Sequence, residues 1–198
     1  MDDAIDWGRE PDLAALRHAI DVSMSYPLEG EVLLRALVEK GSVHSMVHLG
    51  YLYSHRAQEA GGPDLPKAEH WYRLAGDAGS RVAMFHLGRL YLKLQDVDKA
   101  RAAFEVGARN GHAPCIFHLG RIYRDGLGVE PQIEKARALF ENATNLDHIY
   151  AKRALGRLLL SGYFGLLQRF RGLSLVLSAA IEATREIQAN PKSEKLKI

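Results

Sequence analysis

A single cysteine, Cys115, is present in 198 residues, so an intramolecular disulfide is excluded. The disulfide-stapled scaffolds of small secreted proteins are excluded with it. Cys115 stands among apolar residues and reads as a small core filler. No run reaches the ~18 uncharged apolar residues that a membrane-spanning helix needs. No secretory leader is legible, because Met1 to Asp12 carries five acids and no apolar run. A cytoplasmic setting is the expectation. Neither sign of charge is in excess: 26 Lys and Arg face 24 Asp and Glu. Nothing in that balance calls for nucleic acid.

Catalytic signatures are missing as well. There is no His-Glu-x-x-His, no Gly-x-Ser-x-Gly elbow and no phosphate-binding loop. Asp125-Gly126-Leu127-Gly128 holds two glycines but follows a helical pattern rather than a strand. The nine histidines have no cysteine or carboxylate cluster at ligand spacing beside them. No metal, no cofactor and no enzymatic activity are expected.

What the chain does have is a recurring phrase. Val47-His48-Leu49-Gly50-Tyr51-Leu52-Tyr53 returns as Phe85-His86-Leu87-Gly88-Arg89-Leu90-Tyr91, and again as Phe117-His118-Leu119-Gly120-Arg121-Ile122-Tyr123. A weaker copy is Ala154-Leu155-Gly156-Arg157-Leu158-Leu159. Self-similarity at this period marks stacked helical pairs. First helices are predicted over about 43–55, 81–94, 113–124 and 149–161, and second helices over about 66–78, 97–109, 132–145 and 169–188. An earlier pair is expected from the cap Asp12 to about Met24, broken at Tyr26-Pro27, then from Glu29 to Glu39. The fold expected is all-α, a right-handed α-solenoid of about five antiparallel helix pairs. Its units are 12–41, 43–79, 81–111, 113–147 and 149–188, between a loose lead-in at 1–11 and a basic mobile tail at 189–198.

Spacing separates two kinds of connection. Ala68 precedes Gly88, Ala100 precedes Gly120 and Ala136 precedes Gly156 by one constant interval, while Gly50 to Ala68, Gly88 to Ala100 and Gly120 to Ala136 differ. The link between repeats is fixed and the loop within each repeat absorbs length. Glycine inside a helix costs ~1 kcal/mol against alanine. Repeated glycines therefore imply a close helix crossing, expected as a first-helix Gly facing a second-helix Gly or Ala.

These residues resemble the Sel1-like repeat, a relative of the tetratricopeptide repeat. Leu119-Gly120, Tyr123, Gly126, Gly128-Val129 and Lys135-Ala136 carry the likeness most fully. Repeat 44–79 keeps Leu49-Gly50, Tyr53, Lys67-Ala68 and Trp71-Tyr72, with a different loop from Arg56 to Pro66. Repeat 81–111 lacks the glycine loop, and the last repeat has Leu159 in place of the tyrosine. The resemblance implies a bacterial setting and a protein-binding scaffold.

Two surfaces stand out as candidates. His48, His86 and His118 share one repeat position, and Tyr51, Arg89, Arg121 and Arg157 follow three residues later, on the same helix face. First helices of such solenoids line the concave side, so this strip is expected to hold a protein or peptide partner, acidic in character. The second candidate is the apolar segment 158–181, with Phe164, Leu166, Leu167, Arg169 and Arg171. Residues 148–198 carry nine bases and three acids. Closure of the core, docking on an anionic membrane surface as a peripheral tether, and homo-oligomer formation through this C-terminal segment all stay open.

Overall fold

The computed structural model describes residues 10–55 and 62–189. Most of the lead-in, most of the Arg56–Pro66 loop and the basic end with Lys192, Lys195 and Lys197 lie outside the described residues. Ten helices and no strands occur among the described residues: α1 (Leu13–Ser25), α2 (Pro27–Glu39), α3 (Val43–His55), α4 (Leu65–Asp77), α5 (Arg81–Lys93), α6 (Val97–Arg109), α7 (Ala113–Asp125), α8 (Ile133–Asn145), α9 (Ile149–Leu160) and α10 (Leu166–Ala189). They fall into two compact units, one reaching Ala103 and the other beginning at Phe104. In the first unit α1 packs on α2, α2 on α3, α3 on α4 and α4 on α5. In the second, α7 packs on α8, α8 on α9 and α9 on α10.

The helices start where short polar side chains satisfy orphan backbone N–H groups. Asp12 accepts from Ala15 N at 2.9 Å, Asp64 from Lys67 N at 3.1 Å and Asp96 from Lys99 N at 3.1 Å. Pro27 opens α2 at a position where its missing N–H costs nothing. Tyr26 alone separates α1 from α2, so the proline that ends one helix begins the next.

The fixed link between repeats has a definite structure. It recurs at Lys40-Gly41-Ser42, Ala78-Gly79-Ser80, Asn110-Gly111-His112 and Leu146-Asp147-His148. The middle residue is left-handed each time, with φ of 91°, 90°, 74° and 58°. Its N–H bonds back to Val38, Gly76, Ala108 or Thr144, and the next N–H bonds to Leu37, Ala75, Gly107 or Ala143. This is a Schellman stop. In three joints the third residue then caps the following helix: Ser42 accepts from Ser45 N, Ser80 from Ala83 N and His148 from Ala151 N. His112 also stands at the cap position, its Nδ1 3.2 Å from Cys115 Sγ.

The two ends of the loop inside a repeat are tied by one backbone hydrogen bond. Asp64 N donates to Tyr53 O at 2.9 Å, Asp96 N to Tyr91 O at 2.9 Å and Gln132 N to Tyr123 O at 2.8 Å. The bond is the same although the intervening lengths differ. The lysine of each second helix then lies over the same tyrosine: Lys67 on Tyr53, Lys99 on Tyr91 and Lys135 on Tyr123, the last at 3.7 Å.

The helix crossings correct the expectation of glycine facing glycine or alanine. A Cβ on Gly50 would lie 2.6 Å from the Tyr72 ring, and one on Gly120 would lie 2.5 Å from the Phe140 ring. These glycines are slots for an aromatic ring, because a flat ring fills more interhelical space than a methyl group can. Ala68 and Ala136 are fully buried but are not what the glycines face. Glycine against glycine holds in the last pair, where a Cβ on Gly172 would lie 2.7 Å from Gly156 O. In the first pair Gly30 meets the Ser23 backbone.

Candidate protein-interaction surface

In the first unit α3 and α5 place Tyr51 and Arg89 on the surface, with His48 and His86 half-buried. His86 lies parallel to the Tyr72 ring at 5.4 Å and edge-on to Tyr51 at 6.4 Å. Tyr51 also stacks on His55 at 4.2 Å. Arg89 lies over Phe85 at 5.6 Å. Tyr72 is the floor of this cluster, its hydroxyl 3.3 Å from Ser54 Oγ. Burial pushes its phenol up to about 12. The outcome is a patch of stacked rings with an exposed tyrosine and guanidinium at its rim.

The second unit presents less of the strip. His118, expected at the surface beside Arg121, is 5% exposed and lies parallel to Phe104 at 5.0 Å. The ring of a second helix covers the imidazole, so His118 is a core residue. Arg121 is half-exposed and Arg157 exposed. Among the described residues, no ion pair holds Arg89, Arg121 or Arg157. Arg35, Arg73, Arg124, Arg137 and Arg171 are each paired with a carboxylate.

A second polar feature was hidden in the sequence. Tyr53 donates to Glu31, and Tyr91 to Glu69 at 2.7 Å. Arg35 and Arg73 pair with the same glutamates one turn along. Burial first, then the Glu69 hydrogen bond, pushes the Tyr91 phenol up to about 12. Each link runs from a first helix back to the preceding second helix. The recurring Tyr was visible, but its glutamate partner lies in the previous repeat and outside the recurring phrase.

Two polar arrangements among the described residues bear on chemistry. Glu10 accepts from Ser42 Oγ at 2.9 Å and lies 3.0 Å from His44 Nδ1. The carboxylate sits between serine and histidine, so no imidazole is placed to take the serine proton, and Ser42 is fully buried. Cys115 is buried, which pushes its thiol far above the ordinary range and leaves it inert. Among the described residues no group of His, Cys, Asp or Glu could hold a metal ion.

The second candidate surface lies on α10, which begins at Leu166 rather than 169. Phe164 is half-buried beneath Arg137, whose guanidinium lies 4.7 Å from the ring. Leu166 and Leu167 are exposed at 67% and 84%. Arg169 is exposed, and Arg171 lies 3.4 Å from Glu141. Leu158 and Leu159 belong to the core. No helix among the described residues is long and apolar enough to cross a membrane.

Paired helices, repeated Schellman joints and ring-filled glycine slots define the class: an α-solenoid built from helical-hairpin repeats. The model of the Sel1 repeat matches residues 43–80, 81–111 and 113–148. The chain belongs to the Sel1 repeat family. A Sel1 repeat protein from Oxalobacter formigenes is similar over 83% of this chain and 73% of its own, at 22% identity and a TM-score of 0.65. The protective antigen c5321 of uropathogenic Escherichia coli matches 96% of this chain at 18% identity and a TM-score of 0.71. The chain spans about half of that protein, 51%. A Sel1 repeat protein of Klebsiella pneumoniae matches 86% of this chain and 90% of its own, at 20% identity and a TM-score of 0.55. A search of curated proteins finds no sequence match. The structural likenesses establish the fold, and the repeat family is one of protein-interaction scaffolds.

Proposed function

We propose that this chain is a non-enzymatic adaptor whose first-helix face binds an acidic segment of a partner polypeptide. The observation that carries this is the Tyr51–His86–Arg89 patch. Exposed tyrosine and arginine beside buried rings are the side chains that dominate protein interfaces. Arg121 and Arg157 offer the same unpaired guanidinium chemistry in the second unit. A guanidinium binds a carboxylate through two parallel hydrogen bonds, which gives orientation as well as affinity. With His118 buried, the tyrosine and arginines supply most of the contact.

The test is a panel of fluorescent peptides with acidic, neutral and basic sequences, titrated against the full chain. Acidic peptides should bind best, and added salt should weaken them. Arg89→Glu with Arg121→Glu should weaken the best peptide at least tenfold, or ~1.4 kcal/mol. Folding should stay within ~0.5 kcal/mol of wild type, as for exposed substitutions generally. Equal affinity in the double variant at an unchanged melting temperature would show the strip to be a solvated face.

A further inference from the structure

We propose that the acidic lead-in of this chain docks on the strip face of α3 and α5 and there competes with an acidic partner. The competition rests on the reading of that face as a carboxylate-binding surface. The anchor is Glu10, whose side chain is fully buried at the start of α3. Its carboxylate accepts from Ser42 Oγ at 2.9 Å and lies 3.0 Å from His44 Nδ1. The N-terminal end of a helix favours a carboxylate, because orphan N–H groups and the helix dipole meet there. The chain thus places one of its own acids on α3.

The face that Glu10 touches is the strip face itself. His44, His48, Tyr51 and His55 follow one another at intervals of four, three and four residues, which keeps them on one side of α3. α5 touches α3, and its positions equivalent to Tyr51 and His55 are Arg89 and Lys93. Neither row contains an acid. Arg89 and Lys93 are exposed, and among the described residues no ion pair holds either. The later joints carry Val82, Pro114 and Tyr150 where His44 stands. The basic side chain that receives Glu10 is therefore a property of the first joint, the one beside the lead-in.

Charge and length select the occupant. Asp2, Asp3 and Asp6 precede Glu10, against Arg9 as the one base of residues 1–10. Tyr51 lies two turns, ~11 Å, along α3 from His44. With neighbouring helices ~8–10 Å apart, Arg89 stands ~14 Å from the Glu10 anchor and Lys93 ~19 Å from it. An extended chain covers up to ~14 Å in four residues and ~25 Å in seven. Asp6 can therefore reach Arg89, and Asp3 can reach Lys93, while Glu10 stays in place. So short a tether holds these acids at a millimolar effective concentration, on the order of that of short flexible linkers. Contacts too weak to last between separate molecules are then populated within one.

The test is carbodiimide coupling of the full chain at low salt and low protein concentration, followed by peptide mapping. An amide link from Asp2, Asp3 or Asp6 to Lys93 is expected within single chains. Lys152 and Glu182, already in contact, supply the control link. A chain with Asp2→Asn, Asp3→Asn and Asp6→Asn should bind the best acidic peptide of the panel at least threefold more tightly, at an unchanged melting temperature. A control link without any link to Lys93, or a Lys93 link found only between two copies, would overturn the docking. Equal peptide affinity in the triple variant would overturn the competition. Peptides that bind neither chain would sink the partner reading instead, and the Lys93 link would still decide whether the lead-in docks.

Discussion

Adding one methyl group at Gly120 tests whether the repeated glycine is a slot for a ring. The new Cβ would stand 2.5 Å from Phe140 Cε1 and 2.7 Å from Cδ1, where ordinary contact begins near 3.4 Å. Phe140 is fully buried and cannot retreat freely, with Phe117 against it at 5.9 Å. Overpacking of this kind costs about 1–3 kcal/mol. Alanine regains ~1 kcal/mol of helix propensity. Gly120→Ala should therefore lose about 1 kcal/mol, a drop of ~2–4 °C in melting temperature for a chain of this size. The sign should reverse once the ring is removed. In a Phe140→Leu background, Gly120→Ala meets a smaller side chain and should stabilise by ~0.5–1 kcal/mol. Thermal and urea unfolding of the four chains give the coupling energy directly. An equal gain from Gly120→Ala in both backgrounds would refute the slot.

Two more outcomes follow from the joints and the buried phenols. Asp147 holds the left-handed position that glycine fills in the other three joints, so Asp147→Gly should raise stability by ~0.5–1 kcal/mol in urea unfolding, and no gain would mean that Asp147 is otherwise compensated. Tyr72 ionises near 12 when folded and near 10 when unfolded, so its contribution is intact below pH 10 and is lost as pH rises toward 12. Melting temperatures across that window should fall, and Tyr72→Phe should flatten part of the fall.

The helices were legible because their stops are chemical: Gly41, Gly79 and Gly111 end second helices, and Asp12 starts α1. The period of the Leu-Gly phrase gave the repeat. Depth was less legible. His86 and His118 occupy one sequence position, yet one is half-buried against Tyr72 and the other is buried against Phe104. A single helix face shows which residues lie together but not how far a neighbouring ring reaches over them. The glycine slots were read one side chain short for the same reason, since the ring that fills Gly50 or Gly120 lies one turn beyond the expected alanine. The Tyr53–Glu31 and Tyr91–Glu69 bonds needed residues of two different repeats to be brought together.

Length can enter this chain at one kind of place. An extra residue in a Gly-Ser or Gly-His coupling would break two backbone hydrogen bonds and turn the next helix by about 100°, carrying a tyrosine such as Tyr53 or Tyr91 away from the glutamate of the preceding helix. At Tyr53 and Asp64, and at Tyr123 and Gln132, the two ends of the loop are clasped by the same bond although the spans differ in length. The repeats therefore behave as cassettes with a common plug and socket. Recombination at a coupling can add or delete a whole cassette without redesigning its neighbours, and new loop sequence can be grafted inside a cassette without disturbing the next.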